Sequence, residues 1–320
     1  MKLALLHRAY LTIIVFAGIV GRAATANPAR LDVCDLAFSP QGTILAATRF
    51  EDDLSLWKVQ KTCLARQRQI KVFSVSTNAP LAFSADGRTL AVGSNGSELW
   101  DVRNGKKRRL ERERVGYSNN FAFSPDGRWL LGGQSGGEIL LWDTRMGRLR
   151  AVFNGGAGRT YSTPLAVAFV GKGKEIVSAH GDGNVYIWDI RTAQITRRFR
   201  TGYQTAWFSL RSEQDILASR SHGAGNPVKI WSLRTGKLLK SLPQRGELGR
   251  GAVSPDGKRI VTWSYDGTAT MYLWSVKTGK VLRRWSLRKE GWLNDIEYSP
   301  NGKIIATGHA GGSIKLWDAL

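Results

Sequence analysis

NNFAFSPDGRWLLGGQSGGEILLWDTRMG, residues 119–147, sets short apolar runs between turns in a fixed order. Phe121 and Phe123 precede Ser124-Pro125-Asp126-Gly127. Trp129-Leu130-Leu131 leads to a glycine cluster at 132–137, and Ile139-Leu140-Leu141-Trp142-Asp143 closes on a basic turn through Arg145 and Gly147. Proline presets φ at the second position of a turn, and glycine at the fourth accepts the positive φ of a hairpin exit. The segment therefore reads as strand, tight turn, strand, glycine-rich turn, strand, with a further strand over 149–153. One such sheet has two apolar faces and buries neither by itself, so copies must pack on one another.

Six other stretches repeat the pattern. The third-strand tryptophans are Trp57, Trp100, Trp142, Trp188, Trp231, Trp274 and Trp317, spaced by 43, 42, 46, 43, 43 and 43 residues. That is the period of a four-stranded propeller blade. A matching first-strand site is read at Phe38, Phe83, Phe123, Phe169, Phe208, Val253 and Tyr298.

On these residues the chain resembles the WD-repeat β-propeller family, whose blades end in a Trp-Asp pair. The pair is intact at Trp100-Asp101, Trp142-Asp143, Trp188-Asp189 and Trp317-Asp318, while Lys58, Ser232 and Ser275 replace the Asp elsewhere. The resemblance covers residues 31–320. It implies an all-β, seven-bladed propeller of four-stranded antiparallel blades and, by its family, a protein-interaction scaffold. Many family members carry a His before the first strand, bonded through Ser and Asp to the blade Trp. No His precedes a first strand here, and Gly136 and Gly311 stand where two blades would carry the Asp that Asp182 and Asp266 retain. Packing, and not that polar network, is therefore expected to hold the blades.

At 320 residues, 42% apolar and with 9 prolines, the chain suffices for one large all-β domain. Residues 1–26 fall outside the repeats. Lys2, His7 and Arg8 precede an uncharged, mostly apolar run over 9–21, which Arg22 ends. That run is shorter than the ~20 residues a spanning helix needs. Small residues at Ala24-Thr25-Ala26 suit cleavage before Asn27. The expectation is an export signal over 1–26, a propeller over 27–320, and a periplasmic or secreted location; a retained short anchor is the alternative. Blade 7 has no fourth strand after Trp317, and residues 22–29, where one is expected, carry Pro28 and no branched aliphatic or aromatic residue. A three-stranded blade 7 with an open edge is expected; the alternative is that the signal is retained and residues 22–29 pair weakly as its outer strand.

Cys34 and Cys63 are the two cysteines, both in blade 1. Cys34 starts a first strand and Cys63 follows a third, at opposite ends of the sheet. Four strand residues span ~13 Å, and a disulfide needs Cα atoms within ~7 Å. Two free thiols are expected.

Basic residues number 47 and acidic ones 25, a net +22, of which +19 remains without the first 26 residues. The excess concentrates on fourth strands, at Arg66, Arg68, Arg148, Arg150, Arg197, Arg198, Arg283 and Arg284 among others. These strands are outermost in a propeller, so the charge forms a rim belt, either guarding edges or attracting anionic polymers. The connections between blades, on the top face, carry Tyr117, Tyr161, Tyr203 and Trp292 beside Arg114, Arg159, Arg200 and Lys289. Tyr, Trp and Arg are enriched at interface hot spots, so these eight residues are the expected partner-binding set. Trp207, Trp263 and Trp285 lie within strands and read as packing.

Little points to catalysis. His180, His222 and His309 read as solvent-facing residues of turns between second and third strands. Asp35 and Asp295, with Asp32 and Glu297 near, form a carboxylate cluster suited to ion pairing, with cation binding or acid–base work as alternatives. No phosphate loop, zinc-finger spacing or nucleophile elbow is present in the sequence. The sequence thus predicts a non-enzymatic, monomeric scaffold with no cofactor and no metal. Its partner is a protein or peptide; an anionic polymer on the rim is the alternative, and DNA is disfavoured for an exported chain.

Overall fold

The computed structural model describes residues 32–49, 53–61, 63–71, 79–94, 96–111, 118–154, 163–202, 204–244, 246–265 and 267–319. The expected export signal over 1–26 lies outside them. Blade 1 comprises β1 (Val33–Phe38), β2 (Ile44–Arg49), β3 (Asp53–Gln60) and β4 (Cys63–Lys71). Blade 2 is β5 (Leu81–Phe83), β6 (Thr89–Ser94), β7 (Gly96–Asp101) and β8 (Lys107–Arg109); blade 3 is β9 (Ser118–Phe123), β10 (Trp129–Gln134), β11 (Glu138–Asp143) and β12 (Arg148–Asn154). Blade 4 is β13 (Pro164–Val170), β14 (Glu175–His180), β15 (Asn184–Asp189) and β16 (Ile195–Arg200). Blade 5 is β17 (Thr205–Arg211), β18 (Ile216–Ser221), β19 (Val228–Ser232) and β20 (Leu238–Leu242). Blade 6 is β21 (Glu247–Val253), β22 (Arg259–Tyr265), β23 (Thr270–Ser275) and β24 (Val281–Ser286), and blade 7 is β25 (Leu293–Tyr298), β26 (Ile304–His309) and β27 (Ile314–Asp318). Each sheet is antiparallel in up-and-down order, and blade 7 has three strands among the described residues. First strands of neighbouring blades touch all the way round, with β25 against β1 closing the ring.

The bottom face is built from side-chain-capped turns. Ser124 Oγ donates to Asp126 Oδ1 (2.5 Å) and accepts from the Trp129 amide (2.9 Å), while Asp126 Oδ1 accepts from the Arg128 amide (3.0 Å). Gly127 sits at φ +70°, as the turn requires. Ser84 with Asp86, Ser254 with Asp256 and Ser299 with Asn301 repeat the arrangement. The Asp of the Trp-Asp pair caps the turn into the fourth strand. Asp143 Oδ1 accepts from the Arg145 (2.9 Å) and Met146 (3.0 Å) amides, and Asp101 and Asp189 do the same in their blades. These amides, Met146 foremost, hold the Asp143 carboxyl below its ordinary value.

The core corrects the expectation that packing alone holds the blades. Trp188 Nε1 donates to Ser178 Oγ (3.0 Å), Trp231 to Ser219 (2.9 Å), Trp274 to Thr262 (2.9 Å) and Trp317 to Thr307 (2.8 Å). Each hydroxyl lies two residues beyond the second-strand residue paired with the Trp. In blades 4 and 7 a His joins the same hydroxyl, His180 at 2.9 Å and His309 at 2.8 Å. Those histidines end β14 and β26 and are fully buried, so they are not solvent-facing. Burial pushes the His309 imidazole below its ordinary value. His222 does lie between strands, half-buried at the top of blade 5. The network exists without the His before the first strand because this chain takes both partners from the second strand.

Register also moves one repeat position. Leu217 pairs with Trp231 on one side and Leu210 on the other, so Leu210 holds the first-strand site and Phe208 lies two residues before it. Blade 5 lacks the Ser-Pro-Asp-Gly turn that fixes the count, a 3-10 turn at Ser212–Gln214 standing in its place. Both cysteines are free; Cys63 starts β4 and is exposed, while burial, helped by Asp35, pushes the Cys34 thiol up to about 12.

Candidate interaction surface

The top face carries the second-to-third-strand turns and the connections between blades. Of the eight residues expected to bind a partner, Trp292, Lys289 and Arg200 are described; Arg114, Tyr117, Arg159, Tyr161 and Tyr203 lie outside the described residues. Arg200 ends β16 at the rim and Lys289 stands in the blade 6–7 connection, both exposed.

Trp292 does not stand by itself. β22 ends in Trp263-Ser264-Tyr265; strand alternation puts Trp263 and Tyr265 on the same face, Trp263 buried within the sheet and Tyr265, the last residue of the strand, exposed at the lip. Trp263 is 2% exposed, seated over Gly249, where a Cβ would lie 2.3 Å from its ring. Only glycine leaves room for that seat. Trp292 stands edge-on to this floor, centroids 5.4 Å apart at 69°, and Tyr265 lies 4.6 Å from Trp292 at 32°. The Trp292 carbonyl accepts from the Ala310 amide (2.8 Å), which pins the connection to the blade 7 turn. Trp292 and Tyr265 are each 43% exposed. The result is a two-ring platform on a buried third ring, straddling blades 6 and 7. The sequence reading placed Trp263 in the packing and Trp292 on the surface, and missed Tyr265. Its signal, an aromatic two residues past Trp263 on the same strand face, needs the strand end to be known.

Inside the ring of first strands the carboxylate cluster is committed to structure. Asp295 Oδ2 accepts from the Leu36 amide (2.9 Å) and Asp35 Oδ2 from the Leu81 amide (2.6 Å), so blade 7 is tied to blade 1 and blade 1 to blade 2. Asp32 Oδ1 accepts from the Gly311 amide (2.6 Å). The expected ion pairing is thus replaced by backbone donors; neither Asp35 nor Asp295 makes an ion pair among the described residues, although the Arg250 charge is near enough to favour both ionised forms. Burial, reinforced by Asp295, raises Asp35 well above its ordinary range; burial also raises Asp295, against Arg250. Burial pushes Glu297 up to about 7, with the Arg211 charge opposing. Among the described residues no three His, Cys, Asp or Glu side chains converge to hold a metal ion. One residue that sequence reasoning overlooked is Arg220. It is 2% exposed and donates to the Asn226 (2.6 Å), Gly223 (3.2 Å) and Gly246 (2.9 Å) carbonyls, holding the long blade 5 turn in shape.

The rim has the expected character. Lys107, Arg108 and Arg109 of β8, Arg148 and Arg150 of β12, Arg198 and Arg200 of β16, and Arg283 and Arg284 of β24 are exposed, over four blades.

Comparison with known proteins agrees with this architecture. The family model described as "WD domain, G-beta repeat" matches residues 115–143, 156–189 and 279–318. Protein tipD of Dictyostelium discoideum is 25% identical over 256 residues, 75% of this chain and 39% of that protein. Autophagy-related protein 16 of Arabidopsis thaliana is 22% identical over 184 residues, 56% of this chain and 35% of that protein. The chain spans only between about a third and two fifths of the length of these curated relatives.

Proposed function

The chain is a seven-bladed β-propeller carrying WD repeats, and we propose that it is a non-catalytic scaffold binding a protein or peptide on its top face. The observation that carries this reading is the exposed Trp292–Tyr265 pair on its buried Trp263 floor. Rings already held in place lose little freedom on binding, and aromatic anchors dominate interface energies. Fold alone does not decide function. The engagement of Asp35 and Asp295 by backbone amides supports the non-catalytic part, since it leaves them poorly placed for proton transfer. Lys289, Arg200 and, by sequence, Arg114, Tyr117, Arg159, Tyr161 and Tyr203 extend the proposed surface around the ring. Residues 1–26 are proposed to direct export, which puts the partner outside the cytoplasm.

The test is capture on the immobilised full chain from an extracytoplasmic fraction, with Trp292→Ala and Tyr265→Ala alongside. Loss of a true anchor costs ~2 kcal/mol, about 30-fold in affinity. A partner retained equally by both variants overturns the top-face assignment. The exposed rim supports a second reading, an anionic polymer as ligand; binding that falls steeply with salt and ignores Trp292→Ala would select it.

A further inference from the structure

The third strand of blade 7 differs from its six counterparts in what covers it. In β26–β27 the amide of His309 bonds the Ser313 carbonyl and that of Ala319 bonds the Lys303 carbonyl. By strand alternation, residues 313, 315, 317 and 319 therefore face β26, and the backbone groups of Ile314 and Leu316 point the other way. In blade 4 the same two positions, Val185 and Ile187, pair with β16. In blade 7 no fourth strand stands there among the described residues.

The side chains record the same difference. Val185, Ile187, Ile139 and Leu141 are at most 4% exposed, whereas Ile314 and Leu316 are half-buried.

What fits the gap is set by the complete blades. The residue opposite the Ile314 position is Ile70, Leu110, Phe153, Phe199, Leu242 or Trp285, a large apolar side chain in all six. Residues 22–29 of this chain contain no such side chain and include Pro28. Charge narrows the choice further. A strand added here lies between the outer strands of blades 6 and 1. The first presents exposed Arg283 and Arg284, and the second carries Arg66, Arg68 and Lys71 in its sequence. Lys303 and Lys315 are exposed beside the edge, although Lys315 is engaged by Glu290 at 3.2 Å.

We propose that the outward-facing main chain of Ile314 and Leu316 in β27 receives an acidic, extended segment of a partner protein as the fourth strand of blade 7, with a branched or aromatic residue set opposite Ile314; the Asp318 carbonyl, at the end of the strand, already accepts from Arg283 Nη1 (3.2 Å). Main-chain bonds to Ile314 and Leu316 would supply register, the apolar residue would fill the uncovered stripe, and the rim arginines would select acidic flanks. This surface is separate from the top-face platform, and the proposal stands or falls apart from it.

The experiment is amide hydrogen exchange on the full chain with three synthetic nine-residue peptides. The first has a central Phe with alternating Thr and Glu, the second replaces Glu by Lys, and the third replaces Phe by Ser. In the free protein, exchange at Ile314 and Leu316 should be fast beside Val185 and Ile187. The acidic Phe peptide at saturation should slow both at least tenfold, and the Lys and Ser peptides should bind at least tenfold more weakly. Arg283→Glu should also weaken the acidic peptide about tenfold. Protection of Ile314 and Leu316 in the free chain equal to that of Val185 would mean that the chain covers its own edge, and would overturn the proposal. Absence of protection under saturating acidic peptide, or equal binding of the three peptides, would also overturn it.

Discussion

In blades 4–7 a hydroxyl on the second strand meets the indole N–H of the third-strand tryptophan; in blades 1–3 that site holds Ala47, Val92 and Gly132. The three exceptions solve the problem separately. Trp57 donates to Ser55 on its own strand (3.0 Å), Trp142 donates to the Glu111 carbonyl (2.7 Å), and Trp100 Nε1 is buried without a partner among the described residues. An unpaired buried donor costs more than a made bond gains. One repeat can thus keep its backbone period while the chemistry beneath changes, provided that each polar atom finds some acceptor or its cost is borne.

Grafting between the two groups gives the largest expected effect. Gly132→Ser puts the hydroxyl of blades 4–7 into blade 3. There a Cβ would lie 2.7 Å from the Trp142 ring and 3.1 Å from Phe121. With Trp142 1% exposed and anchored, the clash should cost ~3 kcal/mol, read as a lower midpoint in urea unfolding. Ser178→Ala in blade 4 should cost ~2 kcal/mol, since it strips the partner from the Trp188 N–H and removes a contact of His180. Val92→Thr should raise stability by ~1 kcal/mol by giving Trp100 an acceptor of nearly the same shape. A loss of stability there would break the comparison.

The smallest effect concerns pH and sets the bottom face against the channel. Asp143 and Asp126 are lowered from 3.8, chiefly by the Met146 amide and the Ser124 hydroxyl respectively. Their contribution is present above that value and lost as pH falls through the folded one. Glu297 is raised from 4.5 to about 7, so its contribution is present below 4.5 and lost as pH rises towards 7. Glu297 is only partly buried, which keeps that loss modest. Glu297→Gln should flatten the decline in Tm between pH 4.5 and 7 and leave the acid limb unchanged.

How much of this the sequence disclosed follows from how local each feature is. The blade period was legible because the turns demand particular residues within four positions, as at Ser124 to Gly127. Three strands for blade 7 was one of two readings that counting left open, and three are found among the described residues. The hydroxyl–indole bonds were not, because Ser178 and Trp188 meet only through the register of two strands. Phe208 was misplaced for the same reason, its blade lacking the turn that fixes register. Trp292 could be found from its place in a connection, whereas Tyr265 depended on where a strand ends.

The capped turns of the bottom face have a consequence for how such a chain can diversify. Ser-Pro-Asp-Gly and Trp-Asp turns use side chains at both ends, so an inserted residue would break two or three bonds at once. The connections between blades, on the opposite face, already range from four to nine residues between described strands. Insertions and deletions in descendants of this chain should therefore accumulate on one side only. A lineage could exchange its binding partners repeatedly while the capped turns of the lower half stayed fixed in length.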